Sequence, residues 1–288
     1  MSDDDFILVR YKARERRGDR AVQRVRQKGN HKSRKNAQSP VDAKSDEKCA
    51  ENEMLRVERC KREVKESEFY AKLLSHIHSS SLKDYGGKVD VDIDVVCYGL
   101  GLISTCPIAR YQFSLLVLLT SDLNIECERC HVYDPAFDSV DHQMVVSAGF
   151  SVIDHNEEGR RCVDRRTVFY MPHCGKLLYD NVLRANWSRD RLSMITIIGN
   201  KFSHYRERLV WCDLEREAPC IAHVLEYVTE REVSTCFQHR DVFNDLAIHD
   251  FTVPADVCEE FWTNVPDAVT DPCDCEIVRA VASVDDQQ

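Results

Sequence analysis

Five short apolar runs recur between residues 93 and 198: 93–98, 130–134, 150–153, 167–171 and 194–198. Between them the apolar positions shift to helical spacing. Residues 107–120 follow Pro107 as one such segment, and Ser139 to Ala148 form a second, with Gly149 as the expected stop. A third, residues 175–187, gathers Leu177, Leu178, Val182 and Leu183 on one face. Ile195-Thr196-Ile197-Ile198 is nearly continuous in apolar character, as in strands buried on both faces. Strands alternating with helices predict an α/β fold: a Rossmann-like, doubly wound, mostly parallel sheet.

The flanks read differently. Met54, Val57, Cys60 and Val64 sit at three- to four-residue spacing among charged residues, which predicts a helix. Ser67 is placed to cap a second helix carrying Tyr70, Leu73, Leu74 and Ile77. These N-terminal helices (51–88) are expected to flank an α/β body at 89–256. Beyond residue 200 the periodicity weakens. Residues 221–233 are expected to be helical, 242–253 to hold a last strand, and 257–288 to form an acidic tail. Residues 1–50 are polar and expected to be a disordered basic arm. Its one β-prone run, Asp5-Phe6-Ile7-Leu8-Val9-Arg10-Tyr11, is short enough to dock on the body.

Charge sharpens that division. Residues 10–35 hold twelve Lys/Arg against Glu15 and Asp19, a balance of +10, within a chain of net charge −10. The body is therefore acidic, and only the arm is suited to an anionic partner. It reads as a solvated tail, an address for importin, or a nucleic-acid contact. The chain opens on Met1-Ser2-Asp3-Asp4-Asp5 with no apolar run behind it, and no stretch is long enough to span a bilayer. A cytoplasmic and nuclear location is expected, with no membrane role. Its fourteen cysteines would then be reduced thiols, most of them small buried residues.

Candidate chemistry lies at the strand ends, where open parallel sheets bind ligands. Tyr98-Gly99-Leu100-Gly101 closes the first strand, and its two glycines permit a close approach of ligand to backbone. Asp134 closes the second, where a carboxylate can accept from ribose hydroxyls. Tyr98, Gly99, Gly101 and Asp134 are thus the candidate residues for a nucleotide-like cofactor. Cys97 and Ile103 depart from the methyltransferase form of this turn, so a glycine turn kept for packing is the competing reading. Pro172-His173-Cys174 closes the fourth strand. His173 and Cys174 are candidates as catalytic base and thiolate, or as ligands to haem iron. Adjacent side chains seldom point the same way, and a turn histidine beside a buried cysteine is the plainer reading. Cys127-Glu128-Arg129-Cys130-His131 has the spacing of c-type haem attachment, but nothing targets the chain to a compartment where that occurs. Cys127 and Cys130 could instead share zinc with Cys273 and Cys275. Cys106-Pro107 is a weak haem-sensing dipeptide. Phosphate-loop, nucleophile-elbow and zinc-protease motifs do not occur.

Taken in order, several of these segments resemble one family. They are Tyr98-Gly99-Leu100-Gly101, Tyr111-Gln112, Tyr133-Asp134-Pro135, Asn156-Glu157-Glu158-Gly159, Phe169-Tyr170-Met171-Pro172-His173-Cys174, Asn186-Trp187, Gly199-Asn200 and Phe243-Asn244-Asp245. Together they resemble the "sensitivity to red light reduced", or SRR-like, family of eukaryotes. Lys201-Phe202 after Gly199-Asn200 departs slightly from that pattern. The resemblance implies a regulator acting through protein partners or a sensed ligand. It also implies roles in circadian rhythm, clock-gene expression and control of haem biosynthesis. It brings no established reaction. The alternative is an adenosylmethionine- or nucleotide-dependent transferase using the strand-end crevice.

Overall fold

The computed structural model describes residues 40–80, 82, 92–233, 237–265 and 267–269. The basic arm at 10–35, the run at 5–11, and Cys273 and Cys275 lie outside these residues. Within them the chain forms a mixed α/β fold around one seven-stranded sheet. Helices α1 (Pro40–Lys65) and α2 (Glu68–Ile77) come first. The sheet then begins with β1 (Asp94–Tyr98), α3 (Pro107–Asp122), β2 (Cys130–Tyr133), α4 (Ser139–Ser147) and β3 (Ser151–Val152). It continues with β4 (Thr167–Met171), α5 (Lys176–Ala185), α6 (Arg189–Met194) and β5 (Ile195–Asn200). Three short helices follow: α7 (Phe202–Arg208), α8 (Trp211–Glu217) and α9 (Pro219–Val224). Then come β6 (Val228–Glu232), α10 (Arg240–Phe243), β7 (Leu246–Phe251) and α11 (Glu259–Thr263).

The strand order is β3-β2-β1-β4-β5-β7-β6. The first five strands are parallel, and β7 runs antiparallel to both β5 and β6. Side-chain alternation along β1 separates two cores. Val95 and Cys97 pack with residues of α1 to α4, while Val96 and Tyr98 pack with residues of α5, α6 and α9. Phe69, Leu73 and Ile77 of α2 are fully buried, each stabilising the fold by roughly 1.5–3 kcal/mol through burial.

Helix α1 begins at Pro40, so residues 40–50 are helical and not part of a disordered arm. Its most deeply buried positions, Ala50, Val57 and Val64, recur every seven residues, with buried Cys60 between the last two, and α1 packs against α3. Polar ties fix the register: Arg110 meets Glu53 at 3.0 Å, and the Ser139 hydroxyl donates to Asp46 at 2.7 Å. The Ser67 cap of α2 forms as expected, accepting from the Tyr70 amide at 3.2 Å.

The helix expected over 221–233 is corrected. Helix α9 ends at Val224, and residues 228–232 form the edge strand β6. The charged residues of Val228-Thr229-Glu230-Arg231-Glu232 hide the strand period, because their partners lie across the sheet. His249 of β7 faces Glu230 at 3.1 Å, and Arg231 pairs with Asp250, which also accepts from the Thr196 hydroxyl at 2.8 Å. The stretch at 201–217, unassigned in the sequence, holds α7 and α8, and the tail expected from 257 begins with α11.

One buried acid gives the fold a pH dependence. Asp180 of α5 is fully buried. Its carboxylate accepts from the Ile221 amide at 3.1 Å, and Arg184 is 3.7 Å away. Burial pushes its pKa up to about 6 against those contacts. A raised acid binds its proton more tightly in the folded chain, so stability falls as pH rises from about 4 to 6, by up to about 3 kcal/mol. Asp180→Asn is expected to be more stable than wild type at pH 7.5 and no more stable at pH 4. Urea unfolding at both values tests this, and an equal difference at the two would contradict it.

Candidate functional site

Connections leave β1 toward β2 on one side and β4 toward β5 on the other, so the strand order switches between β1 and β4, the position at which open parallel sheets bind ligands. Gly99 (φ 74°) and Gly101 (φ 75°) both take the left-handed backbone. The Gly99 amide donates to the Tyr133 carbonyl at 3.2 Å. The Gly101 amide donates to one oxygen of Asp134 and the Ala136 amide to the other, both at 2.7 Å. Asp134 is buried, which raises its pKa, and these two amides offset part of that. Its carboxylate therefore braces the glycine turn from below.

The opposite wall is the turn after β4. His173 is left-handed at φ 59°, an uncommon state for a residue with a side chain. Its amide donates to Asn200 Oδ1 at 2.8 Å, and Asn200 Nδ2 donates to the Cys174 carbonyl at 3.0 Å. The two side chains then diverge. His173 Nε2 lies 3.0 Å from the Val242 carbonyl, so this nitrogen carries the proton. Burial holds its pKa below the usual histidine value. Cys174 turns toward β1, where Sγ is 3.4 Å from the Tyr98 carbonyl. Burial pushes this thiol up, which disfavours a thiolate. A methyl group placed on Gly99 would meet Cys174 Sγ at 2.5 Å. Thus the structure brings Tyr98, Gly99, Gly101, Asp134 and Cys174 together, and sends the His173 ring elsewhere.

Further residues complete this edge. The Tyr179 hydroxyl accepts from the Asn200 amide at 2.9 Å and donates to the Met171 carbonyl. It lies so close to Gly199 that a Cβ there would meet it at 2.6 Å. Asp245 is left-handed at φ 64°. Its carboxylate faces His204 Nδ1 and is 3.9 Å from Lys201 Nζ. Burial raises its pKa, against the pull of His204 and Lys201. Tyr98 donates its hydroxyl to Glu157, which Arg161 grips through Nε at 3.0 Å and Nη2 at 2.8 Å. Burial alone would raise the Glu157 pKa, but Arg161 and Tyr98 hold it below the usual range. Tyr179 and His204 carry no sequence signal: each depends on a contact made across the fold.

Among the described residues no group of three or more His, Cys, Asp or Glu is arranged to hold a metal ion. Haem does not fit the arrangement either: His173 Nε2 is taken by a carbonyl and Cys174 is buried under Tyr98. Cys127 is exposed and Cys130 buried, and the Cys273 and Cys275 of the zinc reading lie outside the described residues. A cavity of about 210 Å³ lies at the opposite end of the strands, against Asp94, Arg161, Cys162 and Thr167. No helix among the described residues is long and apolar enough to cross a membrane.

Comparison with known proteins adds one consistent result. The family model described as "SRR1 domain" matches residues 78–250, which takes in β1 to β6 and nearly all of β7. A mouse "SRR1-like protein" is 43% identical over 137 residues, 47% of this chain and 55% of the mouse protein. The Arabidopsis thaliana "Protein SENSITIVITY TO RED LIGHT REDUCED 1" is 30% identical over 199 residues, 66% of this chain and 71% of its own. A Drosophila melanogaster "SRR1-like protein" is 27% identical over 172 residues, 59% of this chain and 60% of its own. The chain thus spans little more than half the length of the mouse protein. No solved structure matches.

Proposed function

The chain belongs to the SRR1 domain family, and we propose that it is a regulatory protein without a reaction of its own. It would act through protein partners or a sensed ligand, in clock-gene expression and circadian rhythm and in control of haem biosynthesis. The observation that carries this reading is the self-filled crevice. Both Asp134 oxygens, the space over Gly99 and His173 Nε2 are all committed to the chain's own backbone and side chains. A catalytic site presents such groups to a substrate. One relative's name refers to red-light sensitivity, which suits a signalling role. Location in cytoplasm and nucleus is part of the proposal, with the arm at 10–35 serving as an importin address or a nucleic-acid contact. The test is depletion in cells carrying a clock-gene reporter, with haem content measured in parallel. A changed period or amplitude, a changed haem content, and restoration of both by the intact chain are expected. Unaltered rhythm and haem would remove the reading.

A second reading rests on the strand order. The parallel part, β3-β2-β1-β4-β5, follows the order of dinucleotide-binding sheets, and hydrophobic cores lie on both faces. This supports a Rossmann-like, doubly wound fold. It also favours a nucleotide-type ligand, adenosylmethionine included, at the β1/β4 crevice.

A further inference from the structure

We propose that the β1/β4 crevice is a latched site, in which Cys174 seated over Gly99 excludes a ribonucleoside-type ligand until the turn at residues 172–175 swings away. This rests on the second reading above and adds how the site is regulated. The closing contacts come from both walls. Cys174 Sγ crowds Gly99, standing 2.5 Å from where a Cβ would be, and reaches the Tyr98 carbonyl at 3.4 Å. From below, Asp134 takes the Gly101 and Ala136 amides.

Opening uncovers Gly99 and the Tyr98 carbonyl, and a ligand entering there would reach the polar groups of the glycine turn by exchanging with the bonds between Asp134 and the Gly101 and Ala136 amides. Those groups define the ligand. They are one carboxylate with two acceptor oxygens, two backbone N–H donors and a glycine that tolerates close approach. A vicinal diol would satisfy the carboxylate, and a neighbouring anionic or carbonyl group would satisfy the amides. Adenosylmethionine, NAD and ATP all carry a diol on a ribose. The latch also carries strain. His173 is left-handed, and that conformation aims Cys174 at Gly99 while its amide is held by Asn200. Movement of the turn would return His173 to an ordinary backbone conformation, so the closed state persists through Asn200 and the Val242 carbonyl.

The experiment uses the full chain. Iodoacetamide labelling under native conditions is followed cysteine by cysteine with peptide mass spectrometry. Cys174 is expected to react about 100-fold more slowly than the exposed Cys212 and Cys258. Adenosylmethionine, NAD and ATP are then titrated calorimetrically into wild type and Cys174→Ala. At least one is expected to bind the variant about 10-fold more tightly, because removing the latch raises the open fraction. Cys174 labelling as fast as Cys212 overturns the closed seat, and this is read on wild type even where the variant misfolds. Equal affinity in wild type and variant overturns the latch but leaves a nucleotide crevice standing. No binding of any of the three to either protein sinks the crevice and the latch together. The regulatory role, read in cells, is independent of all three results.

Discussion

Replacing Gly99 by alanine is expected to cost the fold about 4 kcal/mol. Two effects combine. The left-handed backbone at φ 74° is disfavoured for a residue with a Cβ by roughly 1–2 kcal/mol. The new methyl would also sit 2.5 Å from Cys174 Sγ, and forcing a packed wall apart costs roughly 1–3 kcal/mol. Sγ belongs to a short side chain that is itself buried in a packed core, so rotating it away meets other side chains. A domain with a total stability of roughly 5–15 kcal/mol would lose much of it. Urea unfolding of the variant measures the loss, and a value under about 1 kcal/mol would show that the two walls are not in contact. The double variant Gly99→Ala/Cys174→Ala separates the two effects. It should recover the steric part and keep the backbone strain, giving a coupling of about 1–2 kcal/mol between sites 99 and 174. Strict additivity would contradict that contact.

The same pair of residues shows what was legible in the sequence. The glycine turn, the strand ends and the helices between them follow from local pattern, because a buried parallel strand is apolar on both faces. The crossing of the chain between β1 and β4 does not, since it depends on which strands become neighbours. Gly99 and Cys174 each stand out by type and position, yet they are 75 residues apart in sequence and the contact is tertiary. His173 shows the limit most plainly. Its place beside Cys174 suggests a shared chemistry, but a left-handed residue turns its neighbour away, and the ring ends on the Val242 carbonyl. Asp134 is at the expected strand end, while its amide partners emerge only once the turn is folded over it. The edge strand β6 is hidden in the sequence for a related reason. Glu230 and Arg231 look solvated in one dimension, and meet His249 and Asp250 only across the sheet.

Asn186→Ala should be nearly as damaging, at about 4 kcal/mol, and for a different reason. Asn186 ends α5 and is fully buried. Its Oδ1 accepts the Val163 amide at 2.9 Å, while Nδ2 donates to the carbonyls of Arg161 and Val182, each at 2.9 Å. Truncation leaves the Val163 amide and the Arg161 carbonyl without this partner, and each buried unpaired group costs about 1–3 kcal/mol. Asn186→Asp would fare no better, since it keeps the acceptor, loses both donations and buries a charge. The damage should spread along one line. Asn186 anchors the backbone of Arg161, Arg161 grips Glu157, and Glu157 accepts the hydroxyl of Tyr98, the residue that precedes Gly99. Hydrogen exchange is therefore expected to rise at Val163 and through the loop at 153–166, and urea unfolding to show the lost stability. The loop has a second tie, from Asn181 Nδ2 to the Glu158 carbonyl at 2.8 Å, and Asn181→Ala should loosen it less because one bond is lost there in place of three. If Asn186→Ala kept wild-type stability and left Val163 protected, the wall of the crevice beside Tyr98 would have to be held by something other than this stitch.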